Sequence, residues 1–112
     1  MKKLEIIIKP ERLEDLKEIL QEEGVRGMNV VSIMGCGNQK GKEKKYRGVG
    51  YTVNLLPKIK VETVVRDEVG EEVLEKIVSG IQSGNFGDGK IFVYDVVEAV
   101  RIRTDERGND AL

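Results

Sequence analysis

"KIKVETVVRDEVGEEVLEKIVSGI", residues 58–81, changes its hydrophobic period part-way along, and that change decides how the chain is built. Ile59, Val61, Thr63 and Val65 first alternate with Lys58, Lys60 and Glu62. Side chains of an extended chain point to opposite faces in turn, so this segment is a strand with one buried side. From Val69 onward the apolar positions become Val73, Leu74, Ile77, Val78 and Ile81, which share one stripe of a helix. Gly84 stands where that helix would end.

The same succession appears upstream. "KLEIIIK" at 3–9 has strand character and is closed by Pro10, and residues 11–23 place Leu13, Leu16, Ile19 and Leu20 on one helical face before Gly24. "MNVVSIMG" reads as a second strand, and "KIFVYDVV" with "AVRIR" supplies the last strand or strands. From Gly37 to about Asn54 the pattern dissolves into glycine, lysine and polar residues, the mark of a functional or disordered loop. The order is β-α-β, long loop, β-α-β within a single domain, residues 1–112. Two such halves predict an α+β, ferredoxin-like βαββαβ sandwich: a four-stranded antiparallel sheet with both helices on one face. The uncovered face is expected to be apolar and to drive self-association.

Composition narrows the function classes. Hydrophobic residues make up 39% of the 112 and aromatic ones only 4%, so the core is aliphatic. The 19 basic and 20 acidic groups leave a net charge of -1, which argues against a general nucleic-acid binder. No histidine occurs, which removes His-dependent triads and most zinc sites. Cys36 is the single cysteine, so no internal disulfide is available and a reducing cytoplasm is the expected home. No apolar run approaches the roughly 20 residues of a membrane span, and no signal peptide is read at the start.

Three constellations bear on chemistry. "SGNFGDGK", residues 83–90, has the glycine and lysine spacing of a Walker A loop, but Ile91 stands where a magnesium-binding hydroxyl belongs. Its context is reversed as well, leaving a helix and entering a strand. What survives is a tight Gly87-Asp88-Gly89 turn whose N–H groups could cradle an anion beside Lys90, against the plain reading of an Asp-Gly turn. In "RIR", Arg101 and Arg103 lie two apart and would share one side of an extended chain. Paired guanidinium groups suit phosphate oxygens, and salt bridges to nearby acids are the alternative. The loop carries Lys40, Lys42, Lys44, Lys45 and Arg47 against Glu43, flanked by Tyr46 and Tyr51, as a solvated face or as a binding finger. Gln39 and Lys58 stand at its two ends, an amide oxygen able to ligate Mg2+ and an ammonium able to pair with a carboxylate.

"GNQKG", "YRGVGY", "LPKIKVE", "GDGKIFV" and "RIRT" occur in the order and spacing of one known family. Over essentially its full length the chain resembles the PII nitrogen-regulatory signal-transduction proteins. The resemblance implies a homotrimer with nucleotide sites in the clefts between copies. ATP or ADP would be held at Gly37, Glu62, Val64, Gly87, Asp88, Gly89, Lys90, Arg101 and Arg103. Gln39 would join the ATP phosphates on Mg2+, which chelates 2-oxoglutarate, and Lys58 would pair with that acid's distal carboxylate. Residues 37–55 would be the T-loop and 101–112 the C-terminal segment. Arg47 would meet a partner such as an ammonium transporter, recruiting the protein to the membrane. Enzymes or kinases of nitrogen metabolism are the other implied partners, and Tyr51 is the implied target of a nucleotidylyltransferase. Asn29, Asn38, Val49, Gly50 and Asp105 depart from residues common in the family. A small nucleotide-hydrolysing enzyme and a trimeric metal-binding module are the rival classes, short of a carboxylate base and of soft ligands respectively.

Overall fold

The structure, a computed structural model, describes residues 1–36, 42–46, 49–53 and 55–112, the two middle segments as backbone alone. Its elements are β1 (Lys2–Ile8), α1 (Leu13–Glu22), β2 (Asn29–Gly35), β3 (Lys42–Tyr46), β4 (Val49–Val53), β5 (Leu56–Val65), α2 (Asp67–Ile81) and β6 (Lys90–Asp95). The main sheet has the order β2-β5-β1-β6, and each neighbouring pair is antiparallel. This is the expected ferredoxin-like α+β arrangement.

Alternation puts one side of each central strand into the core. Leu4, Ile6 and Ile8 of β1 and Ile59, Val61 and Val65 of β5 meet Leu16 and Leu20 of α1 and Val73, Ile77 and Ile81 of α2, all buried. The hydroxyl of Thr63, the buried polar member of that face, donates to the Gly27 carbonyl. Pro10 opens a single 3-10 turn, Pro10–Arg12, that leads into α1. There its missing N–H costs nothing. Gly24 takes φ +77 just past α1. The N–H of Val25 then reaches the Leu20 carbonyl at 2.9 Å and that of Gly24 the Gln21 carbonyl at 3.0 Å, closing the helix end.

Four expectations need correction. Gly84 does not end α2, which stops at Ile81 and leaves through an extended Gln82. The stretch from Gly37 to Asn54 is not all loop, because β3 and β4 pair antiparallel, Lys42 opposite Val53 and Tyr46 opposite Val49. Backbone bonds carry such a pair, so "KEKKY" needs no apolar alternation. "AVRIR" forms no ladder strand: Val100 bridges Arg107 singly, and residues 102–104 are a turn. The chain there is tied to itself, with the N–H of Asp105 on the Arg101 carbonyl at 2.8 Å.

The open sheet face is the fourth correction, being mixed rather than apolar. At its centre Lys60 sits 3.6 Å from both Glu5 and Glu62, with Lys3 3.8 Å from Glu62. The exposed apolar residues Val31, Phe92 and Tyr94 lie on the edge strands β2 and β6. The Tyr94 hydroxyl donates to Glu5 at 2.8 Å, and that bond is the main cause holding the Glu5 carboxyl below its ordinary pKa.

Candidate anion site

Beyond Ile81 the chain must reverse from α2 into β6 within eight residues, 82–89. Glycines make the reversal: Gly84, Gly87 and Gly89 have φ of +84, +91 and +119. At Gly89 the backbone also comes so close to β1 that an added Cβ would lie 2.0 Å from the Ile7 carbonyl oxygen. Only glycine fits there.

The Asp88 side chain folds back into the turn rather than outward. Its carboxylate accepts the N–H of Ser83 at 2.8 Å, the N–H of Gly84 at 3.0 Å and the Ser83 hydroxyl. The Ser83 hydroxyl is the first cause of an Asp88 pKa below the ordinary carboxylate value, and the two N–H groups add to it. Lys58, on the open-face side of β5, extends to within 3.5 Å of the Gly87 carbonyl. Lys90 opens β6 in register with Ile7, level with Lys60. Its ammonium is exposed and pairs with no acid among the described residues. The N–H of Gly87 likewise donates to no acceptor among them. Two lysines and a glycine turn thus lie at one end of the sheet, a basic cluster suited to phosphate or carboxylate oxygens.

The remaining predicted residues stand apart from this cluster. Val64 is in register with Lys3 and Tyr94, four residues along β5 from Lys60, about 13 Å at the rise of a strand. Glu62 lies between, opposite Asn29 and tied to Lys3 and Lys60. Val64 and Arg101 share a cleft of about 670 Å³ that is walled also by Gly27, Arg66 and Leu112. The Arg101 guanidinium is occupied, 3.1 Å from the Glu106 carboxylate and 3.0 Å from the Leu112 carbonyl. Arg103 is exposed and has no acidic partner among the described residues. The turn at 102–104 removes the common extended side expected for the two arginines. Gly37, Gln39 and Arg47 lie outside the described residues, and Tyr51 is described only as backbone, on β4 opposite Lys44. Ser83, Glu106 and Leu112 were not legible as contributors, because five- and eleven-residue separations along the chain have no motif.

The model of the family described as nitrogen regulatory protein P-II matches residues 1–106 of the chain. The chain belongs to the P-II family. Named nitrogen regulatory protein P-II, the relative from Rhodospirillum rubrum is 51% identical over 112 residues, covering all of both chains. Those from Rhizobium meliloti and Pasteurella multocida, under the same name, are 53% and 50% identical with the same full coverage. Membership makes this P-II chain a nitrogen regulatory protein, named for regulation and not for catalysis. Among the described residues of this family member, no helix is long and apolar enough to cross a membrane.

Proposed function

We propose that this P-II protein senses adenine nucleotide and 2-oxoglutarate at sites shared between copies of a trimer, and reports them through residues 37–55. The observation that carries the reading is the division of the candidate cations. Lys58 and Lys90 flank the glycine turn at one end of the sheet, and Arg101, two residues before Arg103, lies in the cleft with Val64 and Arg66 toward the other end. The six residues of β6 alone span about 17 Å. One triphosphate would meet both groups where two copies adjoin, turn to C-terminal segment. Lys90 and the Gly87 N–H suit phosphate oxygens, and Val64 with the cleft beside Arg101 suits the less charged part of the nucleotide.

Bound Mg2+ would supply a divalent charge linking phosphate to the 2-oxo acid, with the Gln39 amide as its protein ligand and Gly37 nearby. Lys58, at the return of the loop into β5, would meet the distal carboxylate, ending its contact with Gly87. The ligands act on partners by linkage: each shifts the loop only as far as its affinity differs between loop states. Arg47 and Tyr51 are the proposed output positions, the first toward an ammonium transporter or a nitrogen-metabolism enzyme or kinase, the second toward a nucleotidylyltransferase. Isothermal titration tests the reading. Heat from 2-oxoglutarate is expected only with Mg2+ and ATP present, and equal binding with ADP, or none, rejects it.

A further inference from the structure

The turn between α2 and β6 contains a charge that a phosphate site would be expected to avoid. Asp88 sits between Gly87 and Gly89, two residues from Lys90. An outward carboxylate there would repel an anionic ligand and compete for the lysine. The carboxylate is instead consumed. One oxygen takes the N–H groups of Ser83 and Gly84, and the other takes the Ser83 hydroxyl. Both backbone donors belong to the segment just past the end of α2, where helical bonding has stopped and N–H groups need other acceptors. Asp88 is thereby the link between the helix end and the left-handed glycines at 87 and 89.

We infer that Asp88 is a positioning residue for the anion site, not a ligand: its bonds to Ser83 and Gly84 hold the Gly87 N–H and Lys90 in place for phosphate. The inference deepens the nucleotide reading above and rests on it. Asparagine at 88 would keep the geometry. Its oxygen accepts the two N–H groups and its amide donates to the Ser83 hydroxyl, while the negative charge is gone. Alanine keeps none of the three bonds.

The experiment is titration of ATP into the full-length protein and into Asp88→Ala, Asp88→Asn and Ser83→Ala. Backbone amide shifts of Gly87, Gly89 and Lys90 are recorded for each without ligand. Asp88→Ala is expected to bind ATP about tenfold more weakly or worse, with those amide signals displaced. Asp88→Asn is expected to restore both signals and affinity to within about threefold of the unaltered protein, and Ser83→Ala to fall between. If Asp88→Ala fails to fold, Ser83→Ala and Asp88→Asn decide. Unchanged affinity in Asp88→Ala and Ser83→Ala overturns the inference while leaving the nucleotide reading intact. Equal loss in Asp88→Asn and Asp88→Ala also overturns it, because the charge itself would then be touching the ligand or its metal. Absence of ATP binding by the unaltered protein defeats the nucleotide reading and the inference with it.

Discussion

A single methyl group distinguishes the glycines of the 82–89 turn. At Gly89 an added Cβ meets both a φ of +119 and the Ile7 carbonyl oxygen at 2.0 Å, and backbone cannot yield as a side-chain tip can. Gly89→Ala is expected to cost about 3 kcal/mol in urea denaturation. Gly84 has a φ of +84 but nothing within 4 Å of its Cβ position, so Gly84→Ala is expected to cost about 1 kcal/mol. Tyr94 sets a different residue-scale test. Its hydroxyl lowers the folded-state pKa of Glu5, so the contact contributes stability above the ordinary value of 4.5 and loses it as pH falls through the folded value. Tyr94→Phe is expected to move the Glu5 pKa back upward, read by carboxyl NMR titration, and to lower stability at neutral pH while making its fall on acidification through the carboxylate range shallower.

At the scale of elements, α1 and α2 approach closely because Gly80 presents no side chain to Ile19. A Cβ there would stand 2.5 Å from Ile19 Cδ1, and the Gly80 carbonyl accepts the Arg12 guanidinium at 2.9 Å. Ile19 is only partly buried and its tip can turn. Gly80→Ala is expected to stay within about 1 kcal/mol of the unaltered protein, helix propensity offsetting the crowding, whereas Gly80→Leu is expected to lose about 1–3 kcal/mol by thermal denaturation. The β3–β4 pair shows the limit of pattern reading. Apolar residues do not alternate in Lys42–Tyr46, so that strand carried no period to find, and the brief alternation of Val49, Tyr51 and Val53 in its partner stands alone among glycines and lysines. "AVRIR" differs in the other direction: it has strand composition, yet Arg101 bonds back to Glu106 and Leu112 and no strand among the described residues takes it up.

For the whole molecule, the test is whether the site is divided between copies. Lys90→Ala and Arg103→Ala proteins are each expected to lose most ATP affinity. Unfolded together and refolded as mixed oligomers, they are expected to regain about a quarter of the sites, since some junctions then pair an intact Lys90 with an intact Arg103. No recovery on mixing would place both residues in one copy's site or outside it. The open face bears on the same assembly. Ion pairs centred on Lys60 occupy its middle, so any copy docking there meets a charged lattice rimmed by Val31, Phe92 and Tyr94.

Residue order alone determined the ferredoxin-like frame, because burial of one strand face and one helix stripe writes periods of two and 3.6 into the chain. It also marked Lys58, Gly87, Gly89 and Lys90, since turn glycines and lysines keep their meaning locally. Tertiary structure alone decided that Asp88 turns inward, that Arg101 is held by Glu106 and Leu112, and that Arg101 lies beside Val64 and Arg66, away from the end of the sheet that carries Lys90. Those outcomes depend on which groups folding brings within bonding distance. Contacts between residues remote in sequence, or across a reversal of the backbone, leave no periodicity to read.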